Sequence, residues 1–401
     1  MNAAADNALT DVAQLVFAHL LEPGEATRKM LAESANLSFP TVTVALSELT
    51  GKGMVCELRR EQGARGRATI VYGISEDAGW ILGVDIGSTQ VSFSARLLNG
   101  RVLAYGSRQH EGGAGRLGDM AGELVAQSPI LKAMKTPPLV VALALNQVVP
   151  RQLARADRPR PLALEIAEMF VAASKLPRSI PFLLENNVNC AAVAEHQDGL
   201  MRGYSDAAYM QIGVGIGLGF FADGALIRGG QGGSGELAQI PVSWSNAVAS
   251  GVDAIERKYG SVGLMQAASN SFFGSKKPSS PEELFSMAAD GNEQAAALMT
   301  EYGVALGRIA AAATTILDPS VIVLGGGLTR NEAFAQIIIE EFQSRNRDTR
   351  IGISKKGSEA TVLGACLLAR DLAISQIVER FYKPLSARPT LMPRQAETST
   401  I

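Results

Sequence analysis

Along the first 75 residues, apolar positions fall first at helical spacing and then in alternation. Leu9, Val12, Leu15, Val16 and Leu20 predict a first helix with one buried stripe. After the Pro23-Gly24 break, "ATRKMLAESANLS" predicts a short helix carrying Met30 and Leu31 and closed by Asn36. In "SFPTVTVALSELTGKGMV", Ser38 reads as an N-cap and Pro40 lies in the first turn, where its missing N–H costs nothing. Val42, Ala45, Leu46 and Leu49 then form one buried face, and Gly51 and Gly53 end the helix. "MVCELRRE" and "RATIVYGIS" alternate as strands around the loop "QGARG".

Helix, helix, tight turn, helix and hairpin is the order of a winged helix-turn-helix, expected over residues 1–75. "EDAGW" (76–80) links it to a region of different rhythm. "WILGVDIG" is a buried strand; "QVSFSARLL" and "RVLAYGS" alternate about Asn99-Gly100, a type I′ hairpin signal. Strands follow in "PLVVALALNQVV" and "PFLLEN", then a helix in "VNCAAVAEHQ" and hairpins in "AYMQIGVGIGLGFFADGALIRGG" turning at Asp223-Gly224. A helical region from about Gly251 to Leu317, a strand "SVIVLGGGL" and a long helix "EATVLGACLLARDLAISQIVERF" complete an α/β pattern. The stretch 384–401 is expected to be disordered.

The 401 residues suffice for two or three domains with ordinary cores. A hydrophobic share of 47%, a charged share of 19% and a formal charge of −2 point to a soluble globular protein, so any basic site must be local. Cys56, Cys190 and Cys366 form no CxxC or CxC pair; the spacing supports no zinc site and suggests a reducing compartment. Neither a signal-peptide layout nor an apolar run of about 18 residues occurs, and a cytoplasmic protein without a membrane partner is expected.

"DIGST" and "GVGIGLG" are glycine-rich turns whose backbone N–H groups can approach phosphate oxygens, with Asp85 able to hold magnesium through water. With "DPSVIVLGGGL" near the end, their order resembles the actin-like ATPase and sugar-kinase fold. More closely, the chain resembles the ROK ("repressor, ORF, kinase") family over nearly its whole length, through "LGVDIGST", "ENNVNCAAVAE", "GGQGGSGELAQIPV", "ILDPSVIVLGGGL" and "EATVLGACLLAR". The resemblance implies a two-lobed kinase-like region: an N-terminal lobe over 81–185, completed by a helix at about 359–381, and a C-terminal lobe over 186–358. It implies nucleotide contacts at Asp85, Gly87, Ser88, Thr89, Gly213, Gly215 and Gly326, vestigial if ATP no longer binds. Together with the N-terminal helices, it implies the family's transcription-regulator branch.

The departures from the family shape the expected function. Where its kinases carry the Asp that accepts the sugar hydroxyl proton, this chain has Asn187, whose amide is far too weak a base. Asn187 could equally serve as a helix N-cap. "IPVSWSNAVASG" replaces the family's zinc motif, so no structural zinc and no other cofactor is expected. The family's metal-binding His corresponds to Gln239, and its second sugar-binding Glu falls near Asn246. The expected effector pocket is therefore Asn146, Asn186, Asn187, Glu236 and Gln239, taking a sugar or sugar derivative, with no catalytic residue.

For DNA, Thr41, Thr43, Val44 and Ser47 are small enough to approach base edges and thymine methyls. Arg59, Arg65 and Arg67 stand on the hairpin, where guanidinium groups can reach phosphates, although such arginines also decorate solvated hairpins. From residue 52 to 67, Lys52 and four arginines face Glu57 and Glu61. His19, His110 and His196 form no constellation. The expected protein is a dimeric or tetrameric regulator, most simply a repressor of carbohydrate-use genes, on a double-stranded DNA operator. One alternative is an active sugar kinase, for which only Glu185 and Glu195 lie near enough in sequence to substitute as base; another is a repressor released by a partner protein.

Overall fold

The computed structural model describes residues 9–21, 23–62, 68–110, 114–153, 159–240, 254–272, 277–378, 381–382 and 390–393. Helix α1 (Asp11–Leu21) is followed by β1 (Glu25–Thr27), α2 (Arg28–Ala35) and α3 (Phe39–Gly51), then by β2 (Val55–Gln62) and β3 (Ala68–Ile74). The three strands form one sheet in the order β1-β3-β2. The buried face of α3 is Val42, Ala45, Leu46 and Leu49, as its spacing predicts, and Ser38 Oγ accepts from Thr41 N at 3.3 Å. Asn36, left-handed at φ 52°, closes α2, a conformation Asn tolerates better than most residues. The stripe of α1 differs from expectation: Ala13, Val16, Phe17 and Leu20 are buried, while Val12 is 37% exposed. Phe17, a larger apolar side chain than Val12, turns the helix face toward itself.

Then come β4 (Trp80–Ile86), β5 (Gln90–Leu97), β6 (Val102–Gln109), α4 (Leu117–Gln127), α5 (Pro129–Ala133), β7 (Val141–Leu145), α6 (Leu162–Ser174) and β8 (Phe182–Asn186). After them lie α7 (Asn187–Asp198), β9 (Ala207–Ile212), β10 (Ile216–Ala222) and β11 (Ala225–Leu226). Helices α8 (Ala254–Tyr259), α9 (Ser261–Ser271), α10 (Pro281–Ala289) and α11 (Glu293–Leu317) precede β12 (Val321–Gly325), α12 (Glu332–Arg345), β13 (Arg350–Ile353), α13 (Ala360–Ile377) and β14 (Thr390–Leu391).

The chain divides into two compact units. The first comprises 1–143, 164–184 and 365–401; the second comprises 144–163 and 185–364, so 144–163 groups with the C-terminal half rather than with the N-terminal lobe assigned to 81–185. A six-stranded sheet runs β14-β8-β7-β4-β5-β6. In the second unit the order is β11-β10-β9-β12-β13, with β9, β12 and β13 parallel and β10 antiparallel to β9. Its core gathers Met210, Leu218 and Leu324 from the sheet with Leu264, Leu306, Phe334 and Phe342 from the helices.

Two expectations are corrected and one is met. Asn99 stays outside the left-handed region while Gly100 enters it at φ 90°, so the turn is not type I′; Asn99 Oδ1 instead accepts from Arg101 N at 3.0 Å. In the tail expected to lack structure, Thr390 and Leu391 pair with Leu184 and Leu183 as a strand. Asp223-Gly224, at φ 51° and 71°, has the two positive angles that type I′ demands. By length and composition one helical stretch, Gly357–Ile377, could cross a membrane, yet 56% of its most apolar window is buried within the fold.

Candidate functional site

Strand β8 leads directly into α7, and there the two adjacent asparagines divide two tasks. Asn186 is the helix N-cap: its Oδ1 accepts from Val188 N at 2.8 Å and Asn189 N at 3.2 Å, and its Nδ2 donates to Gln147 O at 3.2 Å. Asn187 is therefore not the cap. It is the first helical residue, 7% exposed, with an Oδ1 that is buried and has no donor. The rest of α7 is buried through Glu195, polar residues included.

A polar cavity of about 40 Å³ lies in the second unit, lined by Asn146, Asn186, Asn187, Gln211, Glu236 and Glu256 with the backbone of 215–218. Four of the five expected effector residues thus come together. Gln239 does not; it sits exposed at the end of a short 3-10 turn, Leu237–Gln239. Asn246 lies outside the described residues. Sequence reasoning misses Glu256, on α8, because α8 follows a stretch with no clear periodicity and a lone Glu there carries no signal. Its Oε2 accepts from Ile216 N at 3.2 Å, at the turn between β9 and β10. Gly235 must be glycine: it has φ 82°, and a Cβ there would lie 1.8 Å from Leu218 O.

The two carboxylates near enough in sequence to substitute as base are committed elsewhere. Glu185 is buried; its Oε1 accepts from Asn186 N and Asn189 Nδ2, both at 2.9 Å, and its Oε2 accepts from Arg228 Nε at 2.5 Å. Glu195 Oε1 accepts from Ser354 Oγ at 2.6 Å and Oε2 from Leu200 N at 2.9 Å. Carboxyl groups bound at both oxygens within the fold in this way are structural elements.

The expected nucleotide residues fall in both units. Asp85, Gly87, Ser88 and Thr89 lie at the turn between β4 and β5 in the first. Burial pushes the Asp85 carboxyl up to about 7, and among the described residues its Oδ1 has no partner. Gly213, Gly215 and Gly326 lie in the second unit. Gly326 has φ 99° and a Cβ position 2.4 Å from Ile212 O, so this turn requires glycine. Gly217 and Gly219 serve packing instead: a Cβ at either would come within 2.9 Å of Val188 or Ala192 on α7. Among the described residues no group of three or more His, Cys, Asp or Glu side chains could hold a metal ion.

On the N-terminal segment, Val44 is 70% exposed and Ser47 is exposed, while Thr41 and Thr43 are half-buried. Thr43 Oγ1 donates back to Phe39 O at 2.9 Å. Phe39, 53% exposed at the start of α3, escapes sequence reasoning because a first-turn Phe beside Pro40 reads as core. Arg59 is held by Glu25 at 2.5 Å and Glu61 at 2.8 Å, an exposed network across the sheet. Arg65 and Arg67 lie outside the described residues.

This sheet and helix arrangement defines an α/β fold of the sugar-kinase and actin-like class. The chain belongs to the ROK family, whose pattern matches residues 81–372. It is similar to the xylose repressor of Caldicellulosiruptor bescii, 21% identical across 87% of this chain and 93% of that protein. It is also similar to the xylose repressor of Bacillus subtilis, 22% identical across 58% of this chain and 60% of that protein, so it spans less than two thirds of that relative. Its fold matches a ROK family transcriptional regulator described as a homolog of the E. coli MLC protein, with TM-score 0.68, 18% identity, and 92% of this chain and 98% of that chain covered. A ROK family glucokinase from Streptomyces griseus in complex with glucose and AMPPNP matches with TM-score 0.60 and 22% identity over 73% of this chain and 99% of that chain.

Proposed function

We propose that this chain is a transcription regulator, a repressor of carbohydrate-use genes. In this reading residues 1–75 are a winged helix-turn-helix on a double-stranded DNA operator, with α3 presenting Thr41, Thr43, Val44 and Ser47 to the major groove. Arg65 and Arg67 contact phosphates; Arg59, already paired with two acids, contributes less. The kinase-like region serves as effector-binding and dimerisation module, working in the cytoplasm without phosphoryl transfer. The carrying observation is Asn187: an amide stands at the head of α7, and Glu185 and Glu195 are bound within the fold. The xylose-repressor relatives and the regulator of matching fold support the same reading.

Footprinting on DNA upstream of carbohydrate-use genes should reveal a protected site at moderate salt. Absence of any protected site there would count against regulation. Arg65→Ala with Arg67→Ala should weaken binding to all sequences and flatten the log–log salt dependence by about 1 for each phosphate the protein no longer touches.

One observation favours a second reading, an active sugar kinase: the Glu256 carboxylate lines the same cavity as Asn187. A coupled ATPase assay across a sugar panel separates the two. Turnover above about 1 s⁻¹, abolished by Glu256→Gln, would establish the kinase.

A further inference from the structure

We infer that the operator is read through thymine methyl groups laid against the outer face of α3, and not through hydrogen bonds to guanine or adenine. The inference rests on the proposed DNA-binding role of residues 1–75 and specifies what that surface recognises. The sequence of α3, FPTVTVALSELTG, contains no Arg, Lys, Asn or Gln. Those are the side chains whose paired hydrogen bonds distinguish guanine or adenine in the major groove. An acid can accept from the cytosine amino group. Glu48 is already engaged, however: Thr10 N donates to its Oε1 at 2.9 Å and Thr10 Oγ1 to its Oε2 at 2.7 Å.

Two threonine hydroxyls of α3 are engaged as well. Thr43 Oγ1 donates to Phe39 O at 2.9 Å, and Thr41 Oγ1 shares a hydrogen bond with Ser38 Oγ at 2.7 Å. Ser47 and Thr50 are exposed, but a hydroxyl both donates and accepts, so it suits any base edge and selects none. Phe39, Thr43 and Ser47 follow one another at intervals of four with Val44 beside Thr43, so they share one side of the helix. Phe39 and Val44 are exposed there, and the face they give the solvent is apolar. Of the four bases only thymine presents a methyl in the major groove, and burying it against Val44 or Phe39 is the discriminating contact this face can make. Contacts to phosphates elsewhere fix the register of the protein on the duplex without reading its sequence.

The test selects a tight-binding duplex from a randomised pool with the full chain, then measures its affinity by fluorescence anisotropy at fixed salt. Replacing each thymine in turn by deoxyuridine removes only its methyl, and at the positions α3 faces it should weaken binding about fourfold, about 0.8 kcal/mol. Exchanging such a thymine for cytosine in a G·C pair should lose at least as much. The 5-methylated cytosine, which restores the methyl on a G·C pair, should recover most of that loss. The double variant Val44→Ala with Phe39→Ala, at two exposed side chains, should cut the thymine-over-deoxyuridine ratio to below about twofold. Three results would overturn the inference and leave the regulator standing. One is a duplex with deoxyuridine throughout that binds within about twofold of the thymine form. Another is a loss that 5-methylated cytosine fails to recover, which assigns the preference to duplex shape. The last is a ratio that the double variant leaves unchanged. A pool yielding no sequence bound more tightly than bulk DNA would overturn both.

Discussion

Helices α3 and α7 break the usual distribution of polar and apolar side chains in opposite directions. Both begin at a short polar cap, Ser38 on one and Asn186 on the other. On α3 the first turns put Phe39 and Val44 into solvent, 53% and 70% exposed. On α7 the first turns put Asn187 and Asn189 into the interior, 7% and 3% exposed. Exposed apolar groups are available to a surface that offers methyls; the buried Asn187 amide, whose Oδ1 has no donor, is available to a small molecule that offers one. Such reversals cost stability, and they concentrate where a protein meets something else.

The contrast can be attacked first at the base of α7. Arg228→Ala should destabilise the fold by about 3–5 kcal/mol in urea unfolding, because Glu185 would keep a buried charge without its counter-ion. If stability changes by less than about 1 kcal/mol, the polar interior of α7 is wetter than its geometry says.

The second effect concerns Asp85. Its folded pKa, about 7, is raised above its ordinary value of 3.8, so the folded chain holds a proton that the unfolded chain has lost between those values. The stability this residue contributes therefore falls as pH rises from about 4 to about 7 and stays low above. Asp85→Asn should remove that slope and stabilise the protein at pH 8 by roughly 2–4 kcal/mol, with little change at pH 4. Urea unfolding of both proteins at the two pH values checks the sign.

The third effect is the smallest in stability. Val44→Ser and Phe39→Ser should each change unfolding free energy by no more than about 0.5 kcal/mol, since both side chains stand in solvent. Each should nevertheless weaken operator binding by about 1–2 kcal/mol in fluorescence anisotropy, if α3 reads thymine methyls. Unaltered affinity in both variants would remove α3 from the interface and leave the comparison with α7 without its outer half.

The two helices also differ in how far they can be read from sequence. Every buried position of α3 follows from its spacing, because a cap, a first-turn proline and four apolar residues agree. The cavity is legible only in part. Asn146, Asn186, Asn187 and Glu236, singled out in the sequence, line one cavity, but Gln239 is exposed and Glu256 carries no local signal. Tertiary placement alone brings Glu256, 40 positions after Ile216, onto the turn. Arg59 shows the same limit from the other side: its charge is legible, its pairing with Glu25 across the sheet is not. Helices α6 and α12 and strands β1 and β13 escape the sequence pattern, since short or nearly continuous apolar runs look alike in helix and strand.

Strand β14 has a consequence for handling the protein. Thr390 and Leu391 cap the outer rim of the six-stranded sheet by pairing with the apolar Leu183 and Leu184 of β8. A product clipped before Thr390 would leave that rim bare, a row of open amides and carbonyls beside leucines, ready to zip onto a neighbouring molecule. Clumping of shortened preparations would then originate at the bared edge of β8.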